Sequence, residues 1–68
     1  MNVIKEKTTK NGIWTAMLTN ERGGYYVKVI LHPNGRDHAT ARFDFYMFYE
    51  TKTKAMEEYR KQIATMGK

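Results

Sequence analysis

The chain has 68 residues, no cysteine, a net charge of +5 and nine aromatic side chains. That length builds one domain, and with so little surface to bury, the core must lean on aromatics or on self-association. Without cysteine there is no disulfide or cysteine-based zinc site, and without serine as well there is neither Ser-His-Asp nor Cys-His catalysis.

Residues 1–10 mix Val3 and Ile4 with Lys, Glu and Thr and read either as an edge strand or as a frayed arm. They hold basic residues but no apolar h-region, so they do not form a secretory signal, and no apolar run approaches the roughly 20 residues of a membrane span. The expectation is a small cytoplasmic protein of a bacterial or phage-infected cell, or a module of a larger one. Asn11-Gly12 signals a turn. Ile13 to Asn20 alternates as a strand, with Trp14, Ala16 and Leu18 on one face and Thr15, Met17 and Thr19 on the other. Glu21-Arg22-Gly23-Gly24 closes a hairpin, the glycines supplying the unusual backbone angles.

Tyr25 to His32 alternates again: Tyr25, Val27, Val29 and Leu31 against Tyr26, Lys28, Ile30 and His32. Pro33, with no N–H to give, ends that strand. Pro33-Asn34-Gly35 then turns and Arg36-Asp37-His38 completes the loop. Ala39 to Tyr49 is the richest stretch, ATARFDFYMFY, whose alternation predicts Ala39, Ala41, Phe43 and Phe45 on the core face and Thr40, Arg42, Asp44 and Tyr46 on the other. Thr51 suits a helix N-cap, although Lys54 stands where a capping box wants Glu. Ala55, Met56, Tyr59, Ile63 and Met66 recur at helical steps, and Gly67 suits the end.

The expected fold is therefore α+β: a single β-β-β-α domain over residues 1–68, in which a three- or four-stranded antiparallel meander packs on one C-terminal helix. One helix covers one sheet face. The other carries Thr15, Met17, Thr19, Tyr26, Lys28, Ile30, His32, Thr40, Arg42, Asp44 and Tyr46. Such a face, if merely solvated, is ordinarily polar; Met17 and Ile30 near its middle suggest a contact surface.

The joint Tyr49-Glu50-Thr51-Lys52-Thr53-Lys54-Ala55, aromatic-x-Thr-Lys-x-x-Ala before a charged helix, resembles the end of the arm-site DNA-binding domain of phage and conjugative-transposon integrases. Asn11-Gly12-Ile13-Trp14 is similar to that family's opening, and the resemblance spans roughly residues 11–65. It implies a three-stranded sheet whose face lies in the DNA major groove, with Lys28 and Arg42 as contact residues. Facing geometry adds Thr15, Tyr26, Thr40 and Tyr46. Arg36 and His32 complete the candidate set, from the loop and from the end of the preceding strand.

Two functions follow, neither enzymatic. The first is DNA binding through the open face, supported by the basic balance. The second is protein binding, as in a phage or mobile-element protein that inhibits a host defence complex in the manner of an anti-CRISPR, with a host protein or ribonucleoprotein complex as partner. The same face would also pair two copies through Met17, Ile30 and Tyr46. His32, His38 and Asp37 lack further convergent ligands and read as loop residues rather than a zinc site. No cofactor is expected.

Overall fold

The structure, a computed structural model, describes residues 2–32 and 41–66. Four strands, β1 (Asn2–Thr8), β2 (Trp14–Glu21), β3 (Gly24–Leu31) and β4 (Arg42–Tyr49), precede one helix, α1 (Lys52–Thr65). The strands lie in the order β1-β2-β3-β4, each antiparallel to the next. The N-terminal segment is thus an edge strand. The Pro33-Asn34-Gly35 turn, the Arg36-Asp37-His38 loop, Ala39, Thr40 and Gly67 lie outside the described residues. Among the described residues, no helix is long and apolar enough to cross a membrane.

Local chemistry sets the connections. Between β1 and β2, the Asn11 side-chain oxygen accepts from the Ile13 N–H at 3.0 Å and from the Thr9 hydroxyl at 2.6 Å. This ties the loop to its own backbone. Between β2 and β3 the loop is two residues long, with Glu21 paired to Gly24. Arg22 and Gly23 take the positive φ values, 55° and 78°. A two-residue hairpin with both central residues left-handed matches the twist of its strands. The expectation that both glycines bend the chain is corrected here, because Arg22 fills the first left-handed position. Gly24 serves another purpose: a Cβ there would overlap the ring of Phe48 and come within 3.1 Å of the Tyr49 carbonyl oxygen.

The core lies between α1 and the middle of the sheet. Ala16 and Leu18 of β2, Val27 and Val29 of β3, and Ala55 and Tyr59 of α1 are buried, with Ile4, Trp14, Tyr25, Phe45, Tyr49, Met56, Ile63 and Met66 packed around them. The helical stripe read from the sequence is the one that packs. Thr51 caps the helix: its backbone is extended and its hydroxyl accepts from the Lys54 N–H at 3.4 Å.

One irregularity changes the face assignment in β4. Val29 stands opposite Phe45 but Ile30 stands opposite Phe43, which leaves Asp44 as an extra residue. Such a bulge puts two residues of one strand against one of its neighbour and inverts the alternation beyond it. Phe43 therefore leaves the core face and shares the open face with Ile30, and Arg42 stands opposite Leu31 on the helix side. Both placements reverse the expectation from strict alternation. Ala41 lies outside the strand, which starts at Arg42 rather than Ala39.

Candidate binding site on the open sheet face

The register brings Thr15, Met17, Thr19 and Glu21 of β2 beside Ile30, Lys28, Tyr26 and Gly24 of β3. On the far side of β3, Phe43, Tyr46 and Phe48 of β4 stand opposite Ile30, Lys28 and Tyr26. Four rings form one cluster. Tyr26 meets Tyr46 at 5.3 Å between centroids and Phe48 at 5.2 Å, while Phe43 meets Tyr46 at 4.9 Å. The interplanar angles of 50°, 64° and 68° place ring edges toward ring faces, the electrostatically favoured arrangement.

Lys28 belongs to this cluster. Its ammonium lies 5.5 Å from the centroids of both Tyr26 and Tyr46 and bonds the Glu21 carboxylate at 3.2 and 3.4 Å. The residue is only 8% exposed. Lys28, expected as a contact residue, has its charge held by two ring faces and a carboxylate. Thr19, opposite Tyr26, is fully buried in this layer.

The other predicted site residues disperse. Tyr26 and Tyr46 join the cluster. Thr15 lies on the same face, but its hydroxyl shares a hydrogen bond with that of Thr8 at 3.0 Å. His32 sits just past β3, where its backbone N–H donates to the Ile13 carbonyl at 2.6 Å. Arg42 is exposed on the opposite side of the sheet, and Arg36 and Thr40 lie outside the described residues.

Three residues that sequence reasoning left off the candidate list shape the face. Phe48 was legible, since alternation continued from Tyr46 reaches it. Glu21 shares a face with Thr19 by the same count, but its place beside the Gly-Gly turn hid it. Phe43 depends on the bulge, for which the sequence carries no signal. The result is an open face with an apolar outer strip: Phe43, Tyr46 and Phe48 are exposed, Phe43 most of all at 56%.

Electrostatics follow from the same register. Glu6 stands opposite Met17, Glu21 opposite Gly24, and Asp44 is exposed in the bulge, while Lys28 is neutralised by Glu21. The excess positive charge lies elsewhere: Lys5 and Lys7 stand opposite Leu18 and Ala16 on the helix side, and Lys52, Lys54, Arg60 and Lys61 are exposed on α1. Among the described residues, no group of three or more His, Cys, Asp or Glu is placed to hold a metal ion.

Behind the face, β4 is fastened to α1 through its last residue. Tyr49 lies near Glu58, whose carboxylate accepts from the Gln62 amide at 2.9 Å. Burial, then the charge of Glu58 and its side-chain interaction with the phenol, raise the Tyr49 pKa above its ordinary value. Tyr59 is raised by burial and secondarily by Glu6.

Comparison with family models, with curated proteins and with solved structures finds no match.

Proposed function

We propose that the chain is a small non-enzymatic binding module that engages a protein through the aromatic strip of its open face. The observation that carries this reading is the contiguous exposure of Phe43, Tyr46 and Phe48, packed edge-to-face around Tyr26. Rigid aromatics, pre-ordered by one another, supply contact area with little entropy left to lose, and such rings anchor protein interfaces. The exposed carboxylates Glu6 and Asp44 suit a partner with an apolar patch flanked by cations. Inhibition of a host defence complex is one activity that such a surface serves.

The test is recovery of a stoichiometric protein from host extract on tagged chain, with nuclease present, repeated with Phe43→Ser. Because Phe43 is exposed, its loss leaves the fold intact, and the reading expects recovery to fall at least tenfold. Equal recovery by the variant would remove the aromatic strip from consideration.

Nucleic acid remains a second reading because of the basic excess on the helix side, where Lys5, Lys7, Lys52, Lys54, Arg60 and Lys61 are exposed. It predicts binding of duplex or single strand that weakens steeply with salt and that Phe43→Ser leaves unchanged. A gel shift showing no complex at about 50 mM salt would dismiss it.

A further inference from the structure

A lysine on the uncovered face of an antiparallel sheet ordinarily points its charge into water. Lys28 does not. It stands in β3 on the face that α1 leaves open, between Met17 of β2 and Tyr46 of β4, yet is 8% exposed. Its ammonium lies 5.5 Å from the centroids of two rings on different strands, Tyr26 and Tyr46, and bonds both oxygens of Glu21 at 3.2 and 3.4 Å. Glu21 is in turn held by the two-residue hairpin, where it pairs with Gly24. On stability alone, apolar side chains of similar size in place of a buried ion pair commonly serve as well. What the charge adds is direction. A cation attracted to two ring faces at once, and anchored by a carboxylate, sets where those rings stand relative to each other. Phe48 packs on Tyr26 at 5.2 Å and Phe43 on Tyr46 at 4.9 Å, so the setting passes to both ends of the strip.

We infer that Lys28, clamped by Glu21, is the positioning residue of the aromatic strip: without touching a partner, it holds Tyr26 and Tyr46 in the arrangement on which Phe43 and Phe48 pack. The binding surface is then formed before anything binds. Rings left free to turn would have to be ordered on association, and the clamp removes that cost in advance. The purpose of the clamp rests on the protein-binding reading, whereas the ring arrangement itself is a property of the chain alone.

The test uses the whole chain and the double variant Lys28→Met with Glu21→Gln, which removes both charges together and leaves neither buried alone. Nuclear Overhauser contacts are read first, with no other protein present. In the unaltered chain Tyr26 gives cross-peaks to Tyr46 and Phe48. In the double variant these are lost, while those between the paired core residues Leu18 and Val27 persist. Lys28→Arg keeps the ring cross-peaks, because a guanidinium also lies over ring faces and bonds a carboxylate. Recovery of the protein partner falls about fivefold in the double variant and returns with Lys28→Arg, although residue 28 makes no contact with the partner. Ring cross-peaks of full strength in the double variant, or their loss in Lys28→Arg, would overturn the inference. So would loss of the core cross-peaks along with the ring ones, since Lys28 would then support the fold as a whole. An unaltered chain that recovers no protein, but whose ring cross-peaks still depend on Lys28, counts against the protein-binding reading alone.

Discussion

Two tyrosines report on the packing at the scale of single residues. Tyr49 and Tyr59 both have folded pKa values raised above 10.0, chiefly because burial disfavours the phenolate. In the unfolded chain each ionises near its ordinary value, so the stability they contribute is fully present below about pH 10 and is lost as pH rises through their folded values. Urea midpoints are expected to hold level to about pH 9 and then fall, with a smaller fall in Tyr49→Phe, which no longer places an ionisable hydroxyl against Glu58. A titration in which all five tyrosines ionise together near their ordinary pKa would contradict this. Gly24 is the second such position. Gly24→Ala drives a methyl group into the Phe48 ring and toward the Tyr49 carbonyl, so the variant is expected to lose about 1–3 kcal/mol in urea denaturation, as overpacked sites do. An unchanged midpoint would show that Phe48 swings away freely.

At the scale of elements, α1 is a helix whose ends are less favourable than its middle. Ala55 and Tyr59 bury its inner stripe, but its first turn holds no acidic residue and carries Lys52 and Lys54 against the positive end of the helix dipole. The Thr51 hydroxyl offsets part of this by capping the Lys54 N–H. Thr51→Ala is expected to cost about 1 kcal/mol, and Lys54→Glu, which completes the capping box and reverses the charge, to gain about 0.5–1 kcal/mol. Chemical denaturation of the two variants checks both signs. Strand β4 is the other decisive element. Its bulge moves Phe43 from core to surface, and Tyr49 at its far end packs against the core that Ala55 and Tyr59 of the helix complete.

At the scale of the whole molecule, charge and apolar surface are segregated. The cations cluster on α1 and on the helix side of β1, while the open face keeps its lysine inside a ring cluster and shows aromatics outward. A domain of 68 residues has little core to stabilise it.

Periodicity was enough to establish the class of fold, the order of the elements, the N-cap at Thr51 and the helical stripe through Ala55, Tyr59 and Ile63. Each of these depends on residues within a few positions of one another, where spacing of two or of three and four is decisive. The faces of β2 and β3 were legible for the same reason. The fate of Lys28 was not, because it is decided by Glu21 across the hairpin and by Tyr46 on a strand far along the chain. Nor were the positions of Phe43 and Arg42, because one extra residue in a ladder inverts every side chain beyond it and leaves no trace in composition. Local periodicity states which residues alternate; only the pairing of distant strands decides which side each alternation faces and which charges are already spoken for.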